Sequence, residues 1–442
     1  MRRELNLYFL TLLLTTSTFI VGCSDSKKPL SKIETNDLNV VVVLVDTLRA
    51  DHLPPYGYKK DTAPYLSSLA EKSIVFDRAF SSCSYTAPAV ASVFTSLYPS
   101  QHGVITGHFA NIRLQKGEQT VTFDRIPSEL TTIAEKMKSA GYRTFGIADN
   151  LNISEEMGFT QGFDKFVTYR YENATKVNET IKSWAPEIKQ GGKYYLYVHY
   201  MDPHEPYNQR SPWYQDSDDQ KEQMINAYDS EIRFTDEHMK ELFQLLEVEK
   251  NSIVFFLADH GEEFWEHGQV GHGKSLYNEV IRVPFILYAP GISAAKVSDH
   301  VSTMDLLPTL AALVGLEHEN VWEGRNLLPL IDNNQKEDRY LLSELLRKEE
   351  HPRPEIRSVV TPDWHYITTK PKKKAKKEEL YNMRTDFTEK VDQIKNKPDI
   401  AKNLANRMEL IGKTKVHSVE THVEKPISPE GLEELRTLGY AE

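Results

Sequence analysis

Carboxylates and imidazoles recur in this chain where apolar runs stop, and those are the side chains that hold divalent cations. Asp46 closes "NVVVVLVD", and Asp202 and His204 lie in "MDPHEPY" just past another apolar run. Asp259 and His260 end "SIVFFLADHG", and His267 and His272 follow in "EEFWEHGQVGHGK". Oxygen and nitrogen donors gathered from several strand ends of one sheet are what a divalent metal site needs. Singly, each has a plainer role, an Asp as a helix cap or a His as a surface residue; together they support one another. The stretch "SSCSYTAPAVASVFTSLYPSQHG", Ser81 to Gly103, has the frame of a catalytic loop with a hydroxyl residue, Thr86, in it. Cys83, three residues earlier, competes as a nucleophile, although its residue type favours a small buried hydrophobe.

The elements that must position these groups alternate. "NVVVVLVD", Asn39 to Asp46, is a continuous β-branched run, suited to a strand covered on both faces as in a parallel sheet. "TAPYLSSLAEKSIVF" predicts a helix and then a strand, with Pro64 in the first helical turn. A helix over Leu130 to Ser139 stops at Gly141 before a strand ending near Asp149; Tyr194 to Asp202 is a further strand. "YDSEIRFTDEHMKELFQLLE" reads as a long amphipathic helix and "HVSTMDLLPTLAALVGL" as a last helix ending near Gly315. This alternation predicts an α/β fold with a largely parallel sheet whose functional loops lie beyond the carboxyl ends of the strands. Past residue 330 the strands shorten ("EIRSVV", "WHYITT"), and the lysine run "KPKKKAKK" reads as an exposed hairpin loop.

The 442 residues suit one large α/β domain with an appendage, and a net charge of −11 excludes a general nucleic-acid binder. An anionic substrate stays compatible with that charge, because bound metal ions reverse the sign of a site locally. At the N-terminus, Met1-Arg2-Arg3, the apolar Leu5 to Phe19 and Ile20-Val21-Gly22-Cys23 read as a lipoprotein signal with Cys23 as the lipidated residue. The expected divisions are a signal over residues 1–22, a polar tether over 23–38, a catalytic domain over 39–330 and a C-terminal subdomain over 331–442. The expected location is the bacterial cell envelope, lipid-anchored, on the periplasmic face of the outer membrane in a two-membraned cell. With Cys23 lipidated, Cys83 has no partner and no disulfide framework exists.

"VVVLVDTLRADHLPPYGY", "TAPAVASVFTSLYPSQHG", "DPHEPY", "ADHGEEFWEHG" and "SLYNEVIRVPFILYAPG" together resemble the sulfatase branch of the alkaline phosphatase superfamily, from residue 39 through "EELYNMRTDFTEK" to the terminal "LRTLGY". The resemblance implies an alkaline-phosphatase-like α/β sandwich, with a large mostly parallel sheet, a smaller C-terminal α+β subdomain and a metal-assisted ester-cleaving site. It assigns Asp46, Thr86, Asp259 and His260 to the metal, and Thr86, His204 and His272 to catalysis. Asp202, Asn150, His267 and Lys274 are further candidates for substrate contact. Sulfatases make a formylglycine from Cys or Ser in Cys/Ser-x-Pro-x-Arg. Here Thr86 stands in that register with Pro88 after it, Val90 replaces the arginine, and Cys83 is out of register. The Lys-x-His that helps bind sulfate is replaced by Asp149-Asn150-Leu151-Asn152, while His204 and His272 resemble the phosphoethanolamine transferases, which use a threonine nucleophile. These departures lead to a metal-dependent hydrolase cleaving a phosphate mono- or diester through Thr86. The alternatives are a sulfuric ester hydrolase, a phospho-alcohol transferase acting on envelope components, and a non-catalytic binding protein. One or two divalent ions are expected, zinc or manganese ahead of calcium or magnesium. The partners expected are an anionic ester, such as an envelope glycan or lipid, and the membrane through the anchor.

Overall fold

The computed structural model describes residues 35, 37–115, 120–333, 339–373, 375–411 and 422–426. Residues 1–34, with the signal and Cys23, lie outside these, as does the terminal "LRTLGY". Among the described residues no helix is long and apolar enough to cross a membrane.

The strand Asn39–Val45 is the middle of a nine-stranded sheet. Tyr194–Tyr200 and Ser252–Ala258 flank it, both parallel to it, and Val40 to Val45 are all 0–1% exposed. With a neighbour on each edge and helices on each face, every side chain of this strand is desolvated, which explains why it is apolar throughout rather than alternating. Arg143–Ala148 and Lys165–Thr168 extend the parallel array on one side. On the other side Phe285–Tyr288 runs antiparallel between Ser252–Ala258 and Ile74–Phe80, so the sheet is mixed. Ile74–Phe80 therefore points the same way as the parallel strands.

Register fixes the site. Val45 pairs with both Tyr200 and Ala258, and Ala148 pairs with His199. The residues that follow, Asp46, Met201, Asp259 and Asp149, thus emerge side by side at one edge. Phe80 ends at that edge too, and the loop after it leads to a helix, Thr86–Thr95.

A second sheet of four antiparallel strands, Leu341–Leu345, Glu355–Val360, Trp364–Lys370 and Lys377–Asn382, packs on the back of that loop. Leu341, Leu345, Ile356 and Ile367 share a core with Phe80, Cys83, Ala89 and Leu276. Glu344 N–H donates to Ser82 O and Ser343 Oγ to Ser81 O, both at 2.7 Å. Lys370 ends the third of these strands and Lys377 begins the fourth, so the lysine run joins them along the chain.

Some boundaries differ from those read in the sequence. The helix predicted from Leu130 starts at Ile133, because the Thr132 side chain accepts the Glu135 N–H and Glu135 returns a bond, a capping box. "HVS" in the last predicted helix belongs instead to the strand Ala295–Ser302, and the helix is Leu306–Leu313. Ser302 caps the short turn between them and ends the strand. The amphipathic helix is longer than its periodic core, Gln220–Leu246, because Asp219 caps it upstream.

Candidate active site

Asp46, Asp259 and His260 each offer a ligand atom within 4.8 Å of the others, and all three are fully buried. Thr86 Oγ1 lies 3.3 Å from His260 Nε2 and 3.4 Å from Asp46 Oδ2. Thr86 opens its helix, so its hydroxyl sits at the end where backbone N–H groups lack intrahelical acceptors and favour negative charge. Thr47, just after Asp46, has φ of 54°, a sparsely populated conformation for a β-branched residue. It is held there by Tyr228 Oη donating to its carbonyl at 2.8 Å and by its own N–H donating to Asp259 Oδ1 at 3.3 Å.

The charges are unbalanced as they stand. Burial works against ionisation of Asp46, but neighbouring His199, His204 and His260 outweigh it and hold the carboxyl well below its ordinary range. Burial and the charge of Asp46 hold Asp259 well above it. Burial brings His260 down to about 3, so its ring is neutral. His260 Nδ1 pairs with Gly261 O at 3.0 Å, which leaves a lone pair on Nε2 facing the cluster. Asp46 Oδ1 and Asp259 Oδ2 are buried without a hydrogen-bond partner. Two buried carboxylates that repel each other, with orphaned oxygens beside a neutral imidazole, fit a divalent cation.

The expected residues separate into two groups. Asn150 Nδ2 donates to Asp46 Oδ2 at 2.8 Å, orienting that carboxylate. The rings of His204 and His272 are 4.9 Å apart, and His272 lies 4.5 Å from His260. Burial opposes the charge on His272, but Glu262 at 3.1 Å from its Nδ1 raises its affinity for a proton. Burial lowers that of His204. Asp202 is instead turned into the fold. Both its oxygens accept the Ala174 N–H at 3.1 Å, at the start of the helix Ala174–Gln190, and burial raises its carboxyl to about 7. His267 is likewise engaged at both ring nitrogens, by Glu279 at 2.5 Å and Glu389 O at 3.0 Å. Lys274 Nζ donates to Val270 O.

His199 and Glu262 were missed. His199 Nε2 is 3.4 Å from Asp46 Oδ2 and its ring is fully buried. The signal was an imidazole inside "YYLYVHY", an ionisable group in an otherwise apolar strand. Cys83 is 1% exposed and burial pushes its thiol up to about 12, so it is not a thiolate at neutral pH.

A large α/β sheet with this cluster at its carboxyl edge and a small antiparallel sheet behind it defines the alkaline-phosphatase-like superfamily. Within it the chain belongs to the sulfatase family, matching the Sulfatase family over residues 38–316. Residues 266–414 match the family described as N-sulphoglucosamine sulphohydrolase, C-terminal. An "Ulvan-active sulfatase" of Formosa agariphila is 26% identical over 373 residues, 72% of this chain and 70% of that protein. A "Kdo(2)-lipid A phosphoethanolamine 7''-transferase" of Salmonella typhimurium is 26% identical over 266 residues, 57% of this chain and 44% of the transferase. Among solved structures, one in complex with its substrate D-glucosamine-2-N,6-O-disulfate has a TM-score of 0.68 at 15% identity, covering 85% of this chain and 98% of that one. The chain is thus an enzyme of the sulfatase family.

Proposed function

We propose that this enzyme hydrolyses a sulfate ester on an anionic glycan, with the unmodified Thr86 hydroxyl as nucleophile. The observation that carries the nucleophile is Thr86 Oγ1 at 3.3–3.4 Å from His260 and Asp46, at a helix N-terminus. The family match and the ulvan-active sulfatase relative support the sulfate ester.

Asp46, Asp259 and His260 would hold a divalent cation, with Thr86 completing the set; zinc or manganese suits the mixed donors. When bound, such a cation supplies Lewis-acid stabilisation and lowers the pKa of an adjacent hydroxyl. Asp46 Oδ2, steadied by Asn150, accepts the Thr86 hydroxyl and orients Oγ1, and with the hydroxyl pKa lowered by the cation its proton would leave to solvent as Oγ1 attacks. The Oγ1–sulfur bond forms as the ester oxygen leaves, and the first-turn N–H groups face the charge that develops. His272, which Glu262 makes readier to hold a proton, gives it to the departing oxygen. Water then cleaves the threonine ester and restores the hydroxyl.

A phosphate ester is the second reading, favoured by one feature of this chain. Asp149-Asn150-Leu151-Asn152 stands in place of the Lys-x-His that helps bind sulfate in the sulfatases, so this site lacks two cations aimed at a sulfate group. The transferase relative supports the same reading, with an acceptor alcohol in place of water. Purified, metal-loaded protein assayed on paired aryl sulfate and aryl phosphate esters separates the two by the higher kcat/KM. Thr86→Ala should lower turnover by several orders of magnitude, Thr86→Ser should keep part of it, and Cys83→Ala should be nearly silent. An active Thr86→Ala refutes the hydroxyl mechanism. The envelope anchor at Cys23 belongs to the same proposal, and an intact Met1 terminus by mass spectrometry would exclude it.

A further inference from the structure

Where the C-terminal sheet meets the loop that carries His272 lies a cavity of about 330 Å³. Its charged lining is four cations, Lys274, Arg347, Arg353 and Lys377, against one carboxylate, Glu379. Glu379 is already engaged by Lys377 at 2.9 Å and by the hydroxyls of Tyr277 and Tyr381 at 2.9 and 2.8 Å. In a chain of net charge −11 this is a local reversal of sign.

The two arginines converge on one backbone atom. Arg347 Nη2 donates to Gly273 O at 2.6 Å and Arg353 Nη1 to the same oxygen at 3.3 Å. Among the described residues neither guanidinium has a carboxylate within salt-bridge distance, and Arg347 Nε is buried without a partner. Burial, with Arg353 close by, lowers the affinity of Arg347 for its proton, as expected of a cation short of counter-charge. Natural proteins rarely desolvate a guanidinium without an anion to meet it.

The place of the cavity says what that anion belongs to. Gly273 follows His272, and Lys274 is two residue steps from it, at most about 7.6 Å of Cα path. Thr369 and Lys377, paired at the end of their strands, line the cavity too, and Lys372 and Lys373 in the connection between those strands are exposed. A substrate whose ester reaches Thr86 can place a neighbouring sugar substituent there.

Resting on the ester-cleaving reading of the Thr86 cleft, we propose that Arg347, Arg353 and Lys274 form a subsite for a second oxyanion of the substrate, a sulfate or carboxylate on the same or adjacent sugar. The enzyme would select polyanionic glycans over singly charged esters, and the lysine run would guide them in.

Calorimetric binding to the Thr86→Ala protein tests this without turnover, using D-glucosamine-2-N,6-O-disulfate and D-glucosamine-6-sulfate as probes. The disulfate should bind about tenfold tighter or better, the worth of a charge-assisted hydrogen bond. Arg353→Ala, at an exposed position, should erase most of that margin, and Arg353→Glu should invert it. Equal weakening of both sugars, or a margin absent from the start or unchanged in Arg347→Ala/Arg353→Ala, overturns the subsite. Inorganic sulfate that binds without weakening the disulfate would mark a free-anion site and overturn it as well. A margin that behaves as expected in a protein inactive on every aryl ester would refute the Thr86 chemistry and leave the subsite standing.

Discussion

Asp259→Asn should move stability in opposite directions depending on whether metal is present. In the metal-free protein the two carboxylates are buried together, and burial and the Asp46 charge hold Asp259 well above its ordinary range. An amide keeps the shape, still accepts the Thr47 and His260 N–H groups, and removes the repulsion, so the metal-free variant should be at least as stable as the parent. With a cation at 100 times its Kd, the parent gains about 2.7 kcal/mol. For a chain of this size that is an upward Tm shift of about 3 °C, at roughly 1 °C per kcal/mol. Losing a partner outside the coordination sphere weakens metal binding by about 10- to 100-fold, so 100-fold is a lower bound for a ligand itself. At the same metal concentration the variant then keeps about 0.4 kcal/mol or less, a shift under about 1 °C. Differential scanning fluorimetry of chelator-treated protein, titrated with zinc, manganese, calcium and magnesium, reads both effects. A variant with the parent's metal-induced shift, or one strongly destabilised without metal, would refute the assignment of Asp259.

Two further outcomes concern the scaffold. Asp236 accepts the Tyr65 and Leu66 N–H groups at 2.8 Å, and burial raises its carboxyl from 3.8 to about 7. The folded state therefore holds that proton more tightly, its contribution is complete below pH 3.8 and is lost as pH rises through about 7, and Asp236→Asn should flatten the fall in Tm across that window. A Cβ at Gly107 would stand 2.2 Å from Tyr85 Oη and 2.3 Å from Asn152 Oδ1, so Gly107→Ala should displace Tyr85, the residue capping the Thr86 helix. It should cost about 1–3 kcal/mol in denaturant midpoints and lower kcat, and an unchanged kcat would show that the Tyr85 wall does not position Thr86.

How much of this was legible in the sequence depends on whether a residue acts along its own strand or across strands. Asp46 and Asp259 could be named because each ends an apolar run inside a motif that resembles the sulfatases, so type, place and resemblance agree. For His199 the sequence offered only an odd imidazole in an apolar strand, and register, Ala148 opposite His199 and Tyr200 opposite Val45, is what brings its ring to Asp46. Asp202 and His267 have the right type in the right loops, yet the Ala174 helix and the Glu279 carboxylate claim them first. Their role is settled by groups 28 and 12 residues away in the chain. The same reasoning explains why the cationic cavity was invisible: Arg347 and Arg353 carry no motif, and Gly273 O becomes their common acceptor only when the C-terminal sheet packs on the loop after His272. The sequence of a strand-end cluster is thus read from local pattern, because each member sits where its own strand stops. A site built where a sheet meets a distant loop has no such pattern, and the proposed anion subsite is assembled there.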